Sequence, residues 1–115
     1  MILINFSGHP VAGFEVAPLV GVNLDLSSGE VIQEQVRDLL LGLEQVSALK
    51  AGVSATIILP GMAPFAAAIL SGWHGCFGTF PTIRWALRGP GGFEWPEEAT
   101  LDLQAARLAA RTWRK

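Results

Sequence analysis

Four segments of the chain have the hydrophobic patterns of β-strands. Residues 2–6 are a short run of β-branched and apolar side chains that stops at residues 7–10, and they predict a buried first strand. Residues 20–26 and 82–88 alternate apolar and polar positions, which predicts two half-buried strands. Residues 55–59 form an apolar run typical of a central strand covered on both faces. A turn at residues 89–92 then leads to a short edge strand over residues 93–95.

Three segments predict helices. Residues 27–30 read as a capping box in which Ser27 and Glu30 bond each other's backbone amides, and apolar positions then repeat at helical spacing to about Lys50, before Gly52. Pro64 suits the first turn of a second, apolar helix that closes at Gly75. Residues 102–113, rich in alanine and arginine, predict a final helix. Residues 8–19 hold too many glycines and prolines for more than a short helix.

This order of elements predicts a single α/β domain over residues 1–115 with a mainly parallel sheet. In such folds ligands bind at the carboxyl ends of the strands, where loops and helix N-termini meet. In this chain those places are residues 7–10, 26–28 and 60–64.

The amino-acid composition indicates which kinds of partner and site the chain can have. Half of the residues are hydrophobic and 16% are charged, which is little charge for a lone monomer, so we expect a buried interface between subunits. The formal net charge of −2 excludes the broadly basic surface of a duplex nucleic-acid binder. Cys76 is the one cysteine, and with only His9 and His74 beside it neither a disulfide framework nor a zinc site is expected. No cofactor is implied.

Targeting signals and membrane spans are not predicted. The first residues lack a basic leader and a long apolar core, which favours a cytoplasmic location. Residues 51–83 carry no charged side chain, but prolines and glycines divide them into pieces shorter than a membrane span needs. Charge is distributed unevenly along the chain. Residues 1–80 hold two basic and six acidic side chains, whereas residues 81–115 hold six basic and four acidic ones. A small anion is therefore attracted mainly by the C-terminal third.

Three features could carry chemistry, and each has an ordinary structural alternative. Residues 60–64 join a buried strand to a helix, so their amides could hold a phosphate, or they could form a simple turn without the spacing of a nucleotide P-loop. Ser7 and His9 could be nucleophile and base, but no clear acid orients His9, which favours polar ligand contacts. Either Arg84 or Arg88, on or next to a strand, could bind at an interface. His74 fits a helix cap, and Arg107 and Arg111 fit a solvated face.

Several fragments, in the same order along most of the chain, resemble a small family of CRISPR-associated accessory proteins from type III systems. The matching residues are Ile4, Asn5, Phe6, Ser7, His9 and Pro10; Met62, Ala63 and Pro64; His74, Gly75, Gly78, Phe80 and Pro81; and Leu103, Gln104, Arg107 and Arg111. The family is grouped with the ring nucleases and other proteins that handle cyclic oligoadenylates. Here Gly8 separates Ser7 from His9, where the family pattern has no gap.

The resemblance implies a Rossmann-like, three-layer subunit that forms a homodimer or a higher oligomer. It implies that loops of two subunits bind a cyclic oligoadenylate, with the tetra-adenylate the expected ring. The expected ligand contacts are Ser7, His9, Pro10, Gly61, Met62, Ala63, Pro64 and Arg84.

Three functions compete at this point. The chain could sequester the messenger and so modulate antiviral signalling, it could cleave the ring without a metal, or it could be a structural partner of another CRISPR protein. Cleavage would place a ribose 2′-hydroxyl in line with the neighbouring phosphorus, which needs positioning more than a strong base. Because the sequence offers no convincing acid–base pair, binding is the preferred hypothesis and no catalytic residue is assigned.

Overall fold

Seven strands and four α-helices make up the computed structural model, which describes residues 1–17 and 24–114. In chain order they are β1 (Ile2–Asn5), β2 (Glu15–Val16), α1 (Gly29–Leu41), α2 (Val46–Lys50), β3 (Ala55–Ile58), α3 (Ala63–Phe77), β4 (Thr82–Arg84), β5 (Leu87–Gly89), β6 (Gly92–Glu94), β7 (Thr100–Asp102) and α4 (Leu103–Ala110), followed by a 3-10 turn, Arg111–Trp113.

The main sheet has five strands in the order β2-β1-β3-β4-β7. The first four are mutually parallel and β7 is antiparallel to β4, while β5 and β6 form a separate hairpin. The predicted α/β architecture with a mainly parallel sheet is therefore confirmed. Parallel strands bring the ends of β1, β3 and β4 to one edge, which we call the carboxyl edge.

One hydrophobic core lies between the sheet and helices α1 and α3, which pack against each other. Alternation along the strands points Ile4 and Ile57 into this core, where they meet side chains such as Leu40 and Ile69. All four of these side chains are at most 1% exposed. The opposite alternation places Asn5 and Ile58 on the other face of the sheet.

The first helix is present, but its predicted start and its predicted length are both wrong. Its N-cap is Ser28, whose hydroxyl accepts a hydrogen bond from the Val31 amide at 3.1 Å, because Ser27 instead bonds the Asp25 carboxylate. Glu30 then lies one position too early to complete a capping box. The helix also divides at Gly42, whose amide bonds Asp38, so that α2 is a separate turn of helix.

The second helix begins as predicted, with Pro64 in its first turn, but it does not close at Gly75. It continues to Phe77, which is 8% exposed, and ends at Gly78, whose φ of 80° is the left-handed conformation that glycine adopts most readily. Gly75 is an internal helical residue.

The strand predictions need several corrections. For the strand predicted over residues 20–26, residues 20–23 lie outside the described residues, and residues 24–26 are not in a strand. The strand predicted over residues 82–88 splits into β4 and β5, because the chain leaves the sheet at Trp85. The predicted edge strand is β6, which pairs with β5 and not with the main sheet. Strands β2 and β7 were not predicted.

The final helix is shorter than predicted and buries none of its residues. It starts after Asp102, whose carboxylate accepts a hydrogen bond from the Ala105 amide at 3.0 Å, and it contacts β4 and β7. Among the described helices, none is both long and apolar enough to cross a membrane.

Candidate functional site

Asn5 organises the turn that follows β1. Its side chain is fully buried; its carbonyl accepts hydrogen bonds from the Ser7 amide at 2.8 Å and the Ser7 hydroxyl at 2.6 Å, and its amide group donates to the His9 carbonyl. Gly8, with a φ of 86°, allows the chain to reverse between these two partners. The turn over residues 7–9 is thus held in one conformation by a buried amide.

Ser7 and His9 are brought together in this turn, but not as a nucleophile and its base. The Ser7 hydroxyl donates to Asn5, and its oxygen accepts from the backbone amide of His9 at 3.2 Å. Within residues 1–17 and 24–114, no hydrogen bond joins the His9 imidazole to Ser7 or to a carboxylate, and His9 is exposed, as is Pro10. This arrangement offers polar groups to a ligand and does not activate a hydroxyl.

Residues 60–64 connect β3 to α3 at the same edge. Pro60 is buried, whereas Gly61, Met62, Ala63 and Pro64 are exposed. Met62 is the N-cap and its side chain bonds no backbone amide, in contrast to Ser28 at the start of α1. Since Pro64 has no N–H, the unbonded donors of the first turn are few but accessible.

Arg84 ends β4 and has an unusual environment. It is partly buried, its Nη2 donates to the Trp95 carbonyl, and its Nε is shielded from solvent with no hydrogen-bond partner in the described structure. Within residues 1–17 and 24–114, Arg37 and Asp38 form the only ion pair. The Arg84 guanidinium therefore has no carboxylate partner among the described residues. A cation in this state favours an external anion.

The sheet register shows which of these groups share a face. Asn5 pairs with Ile58, and Arg84 follows the pair formed by Ile57 and Ile83, so Asn5, Ile58 and Arg84 lie in one row facing away from α1 and α3. Because β3 separates β1 from β4, the turn and Arg84 are about 10 Å apart. Residues 61–64 leave the same edge toward the helices, and no described hydrogen bond joins them to the turn.

Charge along this edge is modest. Hydrogen bonds from the side chain and backbone of Ser27 hold the pKa of Asp25 below its usual range, so this carboxylate stays ionised near the start of α1. No group of three or more histidine, cysteine or acidic side chains able to hold a metal ion occurs within the described chain. Any anion here would be bound by Arg84 and by backbone donors.

The other residues singled out in the sequence lie elsewhere. The His74 ring packs against Phe80 with centroids 4.5 Å apart at the opposite end of α3, which fits a structural role. Arg107 and Arg111 are exposed, on α4 and on the 3-10 turn. A groove of about 890 Å³ runs between α1 and α3, but its charged lining of Glu30, Glu34 and Arg37 is acidic on balance and unsuited to a polyanion.

Two functional features were missed. Asn5 follows a run of apolar residues, and a polar side chain at the end of a buried strand was the available signal. The hairpin of β5 and β6 was divided between two predicted strands, so its position next to Arg84 was not foreseen.

No protein-family model, curated protein or solved structure matches this chain. Its function is therefore inferred from the geometry of its own residues and from the resemblance described above.

Proposed function

We propose that this chain binds a cyclic oligoadenylate, with the tetra-adenylate as the preferred ring, and sequesters it to modulate type III CRISPR signalling. The observation that carries the proposal is Arg84 at the carboxyl edge, where a partly buried guanidinium has one carbonyl partner and no carboxylate among the described residues. Every nucleotide of a cyclic oligoadenylate contributes one phosphate, which supplies the missing counter-charge.

The Arg84 guanidinium suits a phosphate more than a neutral ligand. Arginine is always ionised and presents a planar set of donors that matches two phosphate oxygens. Its one bond to Trp95 orients the group and leaves other donors free. A charge-assisted contact of this kind is stronger than a bond between neutral groups.

Two further groups of donors support the same ligand. The fixed turn over residues 7–9 offers the exposed His9, with Pro10 beside it as an apolar contact, and the start of α3 offers backbone amides at residues 61–63 without a side-chain cap. A cyclic ligand carries its phosphates around a ring, so it can reach donors at separate points of the edge and on a second subunit.

Binding is favoured over cleavage by the state of Ser7 and His9. The Ser7 hydroxyl is committed to Asn5, and no described carboxylate orients the imidazole. Ring opening by the ligand's own 2′-hydroxyl would still require a group that positions it in line with phosphorus. One experiment can therefore distinguish binding from the two alternative functions, ring cleavage and a structural role beside another CRISPR protein.

The proposal includes three finer expectations. The subunit is Rossmann-like with three layers, it associates with further copies so that loops of two subunits surround the ring, and it acts in the cytoplasm. A three-layer arrangement requires cover on the face of the sheet that carries Asn5 and Ile58, and both of these side chains are buried.

The experiment is to incubate labelled cyclic tetra-adenylate with the pure protein and to score both the gel shift and linear products. We expect a shift without products for the wild type, and an affinity at least about tenfold lower for Arg84→Gln, which corresponds to about 1.4 kcal/mol. Lys50→Gln removes one exposed positive charge far from the site and is the matched control. It should bind like the wild type.

Three results would change the conclusion. Linear products that disappear in His9→Ala while binding persists would make the chain a ring nuclease. No shift at any concentration would leave the structural partner as the better hypothesis. Equal losses in Arg84→Gln and Lys50→Gln would mean that overall charge, and not the carboxyl edge, attracts the ligand.

A further inference from the structure

The hairpin of β5 and β6 stands at the carboxyl edge of the sheet. The chain leaves β4 at Arg84, forms the hairpin, and returns to the sheet at Thr100, which pairs with Arg84. Two hydrogen bonds fix its base: Arg84 Nη2 donates to the Trp95 carbonyl, and the Trp85 amide donates to the Ala99 carbonyl at 3.2 Å. The same guanidinium that carries the proposed phosphate site thus also anchors this hairpin.

The two faces of the hairpin differ in chemistry. Arg88 pairs with Phe93 across the strands, and the Arg88 guanidinium lies 5.6 Å from the centre of the Phe93 ring. On the other face Leu87 pairs with Glu94, whose carboxylate lies over Gly89 in the space that a Cβ would occupy. One face is therefore cationic and aromatic, and the acid of the hairpin strands is on the other face.

The aromatic face is not covered by the rest of the described chain. Phe93 is 69% exposed, and its cross-strand partner Arg88 is exposed as well. A two-stranded hairpin has little stability of its own, so large exposed aromatic side chains on it are costly unless they contact a partner. Aromatic rings and arginine planes are the groups on which proteins stack unpaired nucleobases.

We infer that the Arg88–Phe93 face of the hairpin stacks a nucleobase of the ligand whose phosphate contacts Arg84. The inference rests on the proposed function and extends it by assigning recognition of the base to a named element. It commits to an unpaired purine, because the larger ring system of a purine gains more contact from stacking than a pyrimidine does.

The test compares Phe93→Leu with Glu94→Gln, which changes the opposite face of the same hairpin. Each variant is titrated with three probes: cyclic tetra-adenylate, adenosine 5′-monophosphate and ribose 5-phosphate, which has the phosphate but no base. We expect Phe93→Leu to weaken both adenine probes about tenfold, to leave ribose 5-phosphate unchanged, and to recover in Phe93→Trp. Glu94→Gln should leave all three affinities unchanged. Circular dichroism checks that each variant is folded.

The outcomes separate the two proposals. If the wild type binds cyclic tetra-adenylate and Phe93→Leu binds it equally well, the proposed function stands and the stacking inference is overturned. If the wild type binds adenosine 5′-monophosphate through Phe93 but not the cyclic ring, the stacking inference stands for another nucleotide and the proposed function fails. If no adenine probe binds, both are overturned.

Discussion

Asn5 shows how one side chain connects the fold to the candidate site. It occupies a position at the end of β1 where an apolar residue would be expected, and it has no exposed surface. Its amide bonds Ser7 and His9, so the groups offered to a ligand depend on a residue that the ligand need not touch. A buried amide is tolerated only because these hydrogen bonds satisfy it.

Removing this amide should destabilise the protein. Asn5→Ala loses the bonds to Ser7 and His9 and leaves a small cavity, so the free energy of unfolding should fall by about 1–3 kcal/mol. Ser7→Ala keeps the backbone amide bond to Asn5 and should cost less, about 1 kcal/mol. Urea unfolding measures both values. Equal stability of Asn5→Ala and the wild type would contradict the role given to this residue.

Gly61 tests the loop before α3 without disturbing the core. A Cβ at this position would meet no atom within 4 Å, and its φ is not in the left-handed region, so larger side chains fit. Gly61→Phe should stay folded but weaken cyclic tetra-adenylate binding about tenfold by blocking access to the amides of α3, whereas Gly61→Ala should bind nearly normally. Unchanged affinity in a folded Gly61→Phe protein would place the ligand elsewhere.

Among the elements, α1 and α3 depend on a close approach at Gly72. A Cβ there would lie 2.9 Å from Val36 Cγ1 and 3.3 Å from Leu40 Cδ1, so the glycine sets the spacing of the two helices. Gly75, one turn later in the same helix, faces open space. We therefore expect substitutions at the two glycines to change the free energy of unfolding in opposite directions.

Gly72→Leu should overpack the contact between the helices and lower the free energy of unfolding by about 1–3 kcal/mol. Gly75→Ala should raise it by about 0.5–1 kcal/mol, because alanine restricts the unfolded chain and favours the helix. Thermal unfolding of both variants provides the comparison. If Gly72→Leu did not lower the free energy of unfolding, the packing described for Gly72 would be wrong.

Elements with long hydrophobic patterns were predictable from the sequence, and those defined by pairing were not. β1, β3, α1 and α3 follow from runs of buried residues that persist over several positions. β2 and β7 have two and three residues, too few for a pattern, and only their partners β1 and β4 define them. The helix start at Ser28 also depended on a contact, the bond that engages Ser27 with Asp25.

The candidate site was likewise predictable only in part. Topology predicted that residues 7–10 and 60–64 would lie at the same edge of the sheet, because parallel strands end together. The sequence could not predict that Asn5 holds the first turn, since that role depends on three hydrogen bonds within a particular loop conformation. Nor could it predict which face of the sheet Arg84 would share with Asn5, because that requires the strand register.

At the scale of the whole molecule, apolar side chains remain at the surface. Leu108 and Trp113 are each more than half exposed, and α4 buries no residue within the domain. With 16% charged residues the chain has few charges to keep such surfaces apart. Association of subunits would cover part of this surface.

Light scattering at micromolar concentration should therefore give the mass of a dimer or a larger assembly. Cyclic tetra-adenylate should not reduce that mass, because the proposed site uses loops of two subunits. A stable monomer, both with and without the ligand, would remove the basis for a shared cleft.

The carboxyl edge as the ligand site is tested most directly by following backbone amide chemical shifts of isotope-labelled protein during titration with cyclic tetra-adenylate. We predict the largest changes at residues 7–9, 61–63 and 84–85, with small changes at Gly72 and Gly75 in the groove between α1 and α3. Changes concentrated in that groove, with the carboxyl edge unaffected, would contradict the proposed site.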